Sequence, residues 1–376
     1  MKIREIRTIP LRYQGAQLAR DALAVKFGAE HSMDVLIVEI ITEEGLIGRG
    51  ECYAYGALAS VATAVRELLA PLILGSDPRS TTALWERMYQ GNFRLGRRGL
   101  LMCALSGVDI ALWDLAAQDA GVPLFKFLGG ERVCMPAYVT GGYYQEGKGL
   151  EELREEIHQV VELGFGGMKL KVGGADRVVD VKRVEAVREA GGADFFVGVD
   201  ANNALTFPEA LWWGRRLEAL HIDFFEEPIS TDQPALSARL AQSLDIPIAG
   251  YETETSVFGM RDFITGGGVD IVQSDAIWAG GITEVRWIAD LGRAFGLPFI
   301  PHYSAGALAL VANLHLAAAT PTAAWQELHI RPNPLRDELL VMPLKVLGGQ
   351  LQLPTKPGLG VELNPDTVAK YRVDMD

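Results

Sequence analysis

Lys171, Asp200, Glu226, Glu252, Asp275, His302 and Glu327 follow one another at steps of 29, 26, 26, 23, 27 and 25 positions in a chain of 376 residues. A step of that length is one β-strand, one helix and their connections, so the seven side chains fall at equivalent points of successive βα units. Each sits at or next to the end of a short apolar run, and the C-terminal ends of such strands are where a parallel barrel gathers its chemistry. Any one of them alone reads equally well as an ordinary solvated strand terminator. Seven in phase do not.

Asp200, Glu226 and Glu252 come from three consecutive units and offer only oxygen. Three clustered carboxylates cannot all stay ionised without a counter-ion, and an oxygen set with no His or Cys suits Mg²⁺ better than Zn²⁺. Held by Arg or Lys instead, the same three would be unrelated rim acids. In Gly167-Met168-Lys169-Leu170-Lys171-Val172 the side-chain period of two puts both lysines on one face and the apolar residues on the other. Inside a barrel two neighbouring ammonium groups depress each other's pKa, which frees one as a base near neutral pH; the alternative is a pair of salt-bridged structural lysines. Asp275 and His302 end adjacent strands, where a carboxylate fixes the imidazole tautomer and keeps the ring basic. Alternation turns Glu227 away from the interior and Glu254 lies past its strand end, so both read as supporting residues. His315 sits in a helical run and reads as packed, whereas His329 could line the mouth. His31, His158 and His221 have no comparable setting.

The elements that must position these groups are strands expected at 136–141, 167–172, 196–200, 223–227, 247–252, 270–275, 298–302 and 324–327, with helical segments between them. This is an α/β pattern that fits a barrel; an open doubly wound sheet finds no Gly-rich nucleotide fingerprint after the first strand to support it. Ahead of the barrel the sequence predicts a hairpin, 35–41 and 46–51 around Glu43-Glu44-Gly45, and then helices at 58–74, 81–90 and 99–120. Leu101, Leu105, Val108, Leu112 and Leu115 set the last of these, and Gly121-Val122-Pro123 ends it. From 335 onward Pro/Gly-punctuated β-like segments are expected to rejoin the N-terminal part.

Composition narrows the function. With 49% hydrophobic residues the chain is neither disordered nor collagenous, and Cys52, Cys103 and Cys134 are too few for a disulfide framework or a Cys-based zinc site. Against 35 basic residues stand 48 acidic ones, a formal charge of −13. That balance argues against nucleic acid or an anionic membrane as partner, and an anionic substrate needs a local cation to capture it. The start, MKIREIRTIP, has no apolar leader core, and no run reaches the ~18 to 20 apolar residues of a membrane span, so a cytoplasmic protein is expected.

The chain resembles the enolase superfamily, and within it the mandelate racemase subgroup, the mandelate racemase/muconate lactonizing enzyme family, over nearly its whole length. The resemblance rests on Lys169-Leu170-Lys171, Val199-Asp200-Ala201-Asn202, Phe225-Glu226-Glu227-Pro228, Gly250-Tyr251-Glu252, Asp275 with Gly280-Gly281, Pro301-His302 and Glu327. The stretch Ser106-Gly107-Val108-Asp109-Ile110-Ala111-Leu112-Trp113-Asp114 adds to it. Tyr251 departs from the pattern, standing where a smaller residue is expected. The resemblance implies a (β/α)7β modified TIM barrel, 134–334, capped by an α+β domain, 1–133, to which 335–376 returns. It implies one Mg²⁺ on Asp200, Glu226 and Glu252, with Lys171 and His302 as bases on opposite faces of a carboxylate substrate and Asp275 orienting His302. Lys169 would neutralise the substrate carboxylate, Glu327 would hydrogen-bond its other oxygen, and Asn202 would line the site. A homo-oligomer, dimer or octamer, is implied as well.

Such a site removes the proton α to a carboxylate, since Mg²⁺ plus a lysine can hold the charge of an enediolate; the pairing of a Lys or His base with Mg²⁺ is known for enolase-superfamily sites. A β-hydroxyl on the substrate then leads to dehydration, a lyase reaction of carbohydrate catabolism turning an acid sugar, aldonate or aldarate, into a 2-keto-3-deoxy acid. Without one, a racemase, epimerase or aldarolactone cycloisomerase results. The polar loop bearing Gln14, Gln17, Arg20, Asp21 and Lys26, together with 51–55, favours a polyhydroxylated substrate, with Arg20, Lys26 and Tyr53 as its expected contacts. A Schiff-base aldolase on Lys171 and a non-catalytic, metal-dependent sugar-acid binder complete the alternatives.

Overall fold

The computed structural model describes residues 1–15, 19–28 and 32–374. β1 (Ile3–Tyr13), β2 (Met33–Thr42) and β3 (Ile47–Tyr53) form an antiparallel sheet in that order. Two of these strands match the expected hairpin. β1 is the alternating charged and apolar start of the chain, a half-buried strand whose period of two is its signal.

The helix Leu100–Asp119 lies across this sheet, and, against the expectation that no run is long and apolar enough, by length and hydropathy it would suffice to cross a bilayer. Here it is a core helix, apolar on nearly every side because the sheet covers one flank and the helix Gly281–Ala294 the other. Trp113 Nε1 donates to Thr283 Oγ1 at 2.8 Å, and the Thr283 backbone N–H donates to Asp109 Oδ2 at 2.9 Å. Sheet and helix approach so closely that a Cβ on Gly50 would stand 2.0 Å from the Gly107 carbonyl oxygen. Gly50→Ala is therefore expected to destabilise the fold by about 3 kcal/mol, read as a lower urea midpoint at unchanged slope.

Eight parallel strands follow, each trailed by a helix or helical connection: β4 (Cys134–Gly141), β5 (Gly167–Lys171), β6 (Phe196–Asp200), β7 (Phe224–Glu226), β8 (Ile248–Gly250), β9 (Ile271–Ser274), β10 (Phe299–Pro301) and β11 (Gln326–His329). They pair in sequence from β4 to β10, β11 pairs back onto β4, and a parallel bridge from Phe299 to Ala323 closes the ring. Outward side chains such as Met168, Leu170, Val197, Val199 and Phe225 join the core shared with the helices. Inside, Tyr138, Phe224, Ala249 and Ile300, flanked by Phe196 and Trp325, make an apolar floor. The floor fills the N-terminal half of the barrel and leaves the polar inward residues at its C-terminal end.

The segment after 334 divides between two places. A hairpin of β12 (Val346–Leu347) and β13 (Gln350–Gln352) pairs antiparallel with the first residues of β4, Leu351 opposite Met135, because β4 starts ahead of its parallel neighbours and leaves that edge open. The helix Pro365–Tyr371 packs instead on β1, with the Tyr371 ring edge-on to Tyr13 at 5.9 Å.

His315, in the helix Ala307–Ala319, is the packed residue its pattern suggests: Nδ1 accepts from the Phe125 backbone at 3.0 Å, and Nε2 lies 3.2 Å from the Leu359 carbonyl. Burial lowers its pKa from 6.5 to about 4. The unfolded chain therefore binds this proton first as pH falls, and the stability His315 confers near pH 7 is lost between about pH 6.5 and 4. The loss amounts to about 3 kcal/mol. Denaturant unfolding at pH 7.5 and 5 should show a steeper decline for the wild type than for His315→Gln.

Candidate active site

The C-terminal end of the barrel opens into a cavity of about 1030 Å³, bounded by the loop after β1 and the end of β3 on the cap side. Lys169 and Lys171 both point inward from β5, as alternation requires, and both are buried. Lys169 Nζ lies against Glu226, 2.9 Å from Glu327 Oε1 and 3.8 Å from Asp200 Oδ2. Lys171 Nζ lies 2.5 Å from Asp200 Oδ2. Lys169 does lower Lys171, as expected, but the neighbouring carboxylates outweigh that depression. Burial alone would lower both, yet Asp200 raises Lys171, while Glu226 and Glu327 hold Lys169 well above the usual range. Each ammonium lies in direct contact with a carboxylate.

Asp200, Glu226 and Glu252 each present one oxygen, and these oxygens lie within 4.8 Å of one another. Burial holds Glu226 well above the carboxylate range and, with Glu227 nearby, pushes Glu252 up to about 8. Glu252 Oε2 is buried and takes no hydrogen bond. A fully desolvated oxygen without a donor, in an all-carboxylate set, fits a hard divalent cation. Such a cation would take up the oxygens that now keep the lysines protonated. Gln273 Nε2 donates to Glu226 at 2.6 Å, and the Asn202 backbone N–H donates to Asp200 Oδ1 at 2.7 Å, fixing two of the three.

Across the mouth His302 Nδ1 sits 2.9 Å from Asp275 Oδ2, whose other oxygen accepts from Asn313 Nδ2 at 2.8 Å and from the Ile277 backbone at 3.0 Å. Anchored in this way, Asp275 orients the ring and leaves Nε2 facing the cavity, 3.8 Å from Glu252. Burial opposes the imidazolium, but Glu252, Glu327 and Asp275 together raise it to about 9. Glu327 also accepts from Thr140 Oγ1 and, at 3.1 Å, from the Tyr303 backbone.

Supporting residues fall largely where expected. Glu227 is gripped by Asn203 Nδ2 at 2.5 Å and Thr253 Oγ1 at 2.6 Å, and Glu254 pairs with Arg98 at 2.6 Å. Tyr251 turns out of the barrel, its hydroxyl 2.6 Å from Ser237 Oγ and its ring on Phe263, so its size does not reach the pocket. His329 lines the mouth, with Nδ1 2.9 Å from the Tyr143 hydroxyl.

The lid divides. Tyr53, Gln14, Asp21 and Asn202 border the cavity, with Tyr53 stacked on Trp278 at 4.2 Å. Two expected substrate contacts are corrected: Lys26 donates to the Ala204 carbonyl at 3.1 Å, and Arg20, whose backbone pairs with Tyr144, is not part of the cavity wall. Both belong to the loop's attachment to the barrel, Lys26 from the short helix Ala22–Phe27 and Arg20 through its backbone bridge. Glu51 is no lid residue either. Fully buried, it accepts from the Gly306 and Ala309 backbone N–H groups at 2.7 and 3.0 Å and caps the helix Ala307–Ala319. Gln17 and His31 lie outside the described residues. Tyr143, Trp278, Ser304 and Arg331 also line the cavity and were not singled out, since none carries a periodic signal.

Residues 12–129 match the mandelate racemase/muconate lactonizing enzyme N-terminal domain, and residues 152–367 the enolase C-terminal domain-like family. The chain is 45% identical, over 98% of its length and 99% of the relative's, to the arabinonate dehydratase of Saccharolobus solfataricus. It is 34% identical to the D-galactarolactone cycloisomerase of Agrobacterium fabrum, covering 90% of this chain and 91% of that one. Among solved structures, the L-talarate/galactarate dehydratase of Salmonella typhimurium liganded with Mg and L-lyxarohydroxamate superposes with a TM-score of 0.90 at 30% identity, over 99% of this chain and 93% of that one.

Proposed function

The chain belongs to the mandelate racemase/muconate lactonizing enzyme family, and from that premise we propose that it removes the proton α to the carboxylate of an acid sugar and dehydrates it to a 2-keto-3-deoxy acid. The observation that carries this reading is a set of three mutually close carboxylates with an inward lysine pair and the Asp275–His302 couple, which meets one cavity at Lys171, Glu252 and His302.

Asp200, Glu226 and Glu252 would hold Mg²⁺, which supplies positive charge against the substrate carboxylate as negative charge accumulates there. Lys169 adds a second positive charge; Glu327, expected to hydrogen-bond the substrate carboxylate, instead accepts from Thr140 Oγ1 and the Tyr303 backbone and lies 2.9 Å from Lys169, so it positions that ammonium. Lys171 takes the α-proton, and the C–H electron pair moves into the carboxylate to give an enediolate. His302, held by Asp275 with Nε2 toward the cavity, gives a proton to the β-hydroxyl as the C–O bond breaks and water leaves. The resulting enol tautomerises to the 2-keto acid. Asp275 holds the imidazole throughout.

Cycloisomerisation or epimerisation is the second reading. Strands β5 and β10 lie on different sides of the ring, so Lys171 and His302 can serve opposite faces of one carbon, and the 34% relative is a cycloisomerase. Incubating the protein with mono- and diacid sugars and Mg²⁺ separates the two: 2-keto acid formation marks dehydration, and α-deuterium incorporation without it marks epimerisation. Neither product from any sugar acid sinks the proposal.

A further inference from the structure

We propose that Arg331 reads a second anionic group on the substrate, so that the site takes a sugar diacid in preference to the monoacid of the same carbon chain. The inference rests on the acid-sugar reading above and adds the substrate class.

Arg331 lies four residues past Glu327 and lines the cavity. Its nearest polar partners are neutral and distant, the Tyr55 hydroxyl and the Ser304 carbonyl at 3.4 Å and Ser304 Oγ at 3.5 Å. Among the described residues it has no salt bridge. The other cations of the barrel mouth are matched, Lys169 with Glu226 and Glu327, Lys171 with Asp200, Arg336 with Asp337 and Arg183 with Asp180. The Tyr143 ring and the Tyr55 hydroxyl stand against the guanidinium, and such walls make an unmatched charge costly.

Charge along the cavity is thus uneven. Lys171 Nζ and Arg331 Cζ sit 5.4 and 5.2 Å from the centre of the same Tyr143 ring, so Arg331 is within reach of the far end of a small substrate whose near carboxylate meets the lysines. A sugar hydroxyl there would leave the guanidinium charge unmatched. A carboxylate accepts two parallel N–H bonds from the planar fork and neutralises it.

The test compares kcat/KM for five- and six-carbon aldarates and aldonates, with Mg²⁺, in the wild type, Arg331→Gln and Arg331→Lys. The wild type is expected to prefer the diacids at least tenfold. In Arg331→Gln the diacid-to-monoacid ratio should fall about 10²-fold, chiefly through KM, since the site loses its charged two-point partner. Arg331→Lys, with the charge but not the fork, should fall between. A wild type that handles aldonates at least as well as aldarates overturns the inference and leaves dehydration standing. So does a ratio unchanged in both variants, which would mark Arg331 as structural. If neither acid class yields a 2-keto acid or exchanges its α-proton, the parent reading fails and this one with it.

Discussion

Replacing Lys171 by Met is expected to lower kcat on the order of 10⁴-fold and to abolish solvent-deuterium exchange at the α-carbon for substrates presenting that proton to β5. His302→Asn should remove exchange for the opposite configuration instead. The ammonium of Lys171 comes from the strand next to β4, whereas His302 directly follows β10, two strands beyond β4 on the other side. The groups differ in what tunes them as well. Lys171 is controlled by Asp200, and His302 by Asp275 behind it and Glu252 before it. Proton NMR in D₂O with both α-epimers reads the result directly. Equal loss for both epimers in both variants would refute the two-face assignment. Turnover surviving EDTA, together with borohydride trapping of substrate on Lys171, would point to a Schiff-base aldolase.

Glu252→Gln, nearly the same shape without the charge, is expected to lower turnover at least about 10³-fold and to erase stabilisation by Mg²⁺. Glu252 has the least support of the three acids. Its Oε2 has no hydrogen-bond donor, while Gln273 and Lys169 hold Glu226, and Asn202 and Lys171 hold Asp200. A bound dication supplies what burial denies this carboxylate. For the wild type, Mg²⁺ at a hundred times its dissociation constant should add about 2.7 kcal/mol of stability. Thermal melts with EDTA and with Mg²⁺ show that difference. EDTA should also stop turnover and Mg²⁺ restore it. A melting shift preserved in Glu252→Gln, or activity indifferent to EDTA, would exclude the metal set.

How much of this was legible before folding depends on the kind of signal each residue carries. The barrel strands and their inward acids and bases could be read because a βα unit has a nearly fixed length and a strand alternates with period two. Those two facts place Lys169 with Lys171, and Asp200, Glu226 and Glu252 on one rim. β1 carried the same alternation, but its first residues served only to exclude a leader segment. The environment of the lysines could not be read. Sequence puts the two ammonium groups side by side, whereas only packing shows that each is in contact with a carboxylate.

The loop residues failed differently. Arg20 and Lys26 were expected at the mouth on polarity alone, a property most exposed loop residues share. The short helix after Asp21 turns Lys26 toward the Ala204 carbonyl and leaves Arg20 pairing with Tyr144. Glu51 read as a lid carboxylate because its contact, the start of a helix some 255 positions later, lies in another part of the chain. Arg331 carries no sequence signal for a related reason: one arginine after a strand looks like any other until it is seen to have no salt bridge among the described residues.

What the sequence determined by itself is therefore periodic and local: eight inward-facing strands, the acids and bases at their ends, and an oxygen-only set suited to Mg²⁺. The tertiary structure decided which charges neutralise one another and which loop residues reach the cavity. Those outcomes depend on distances of a few ångströms between residues tens to hundreds of positions apart, and Coulomb and hydrogen-bond energies change over that range while the order of residues along the chain does not.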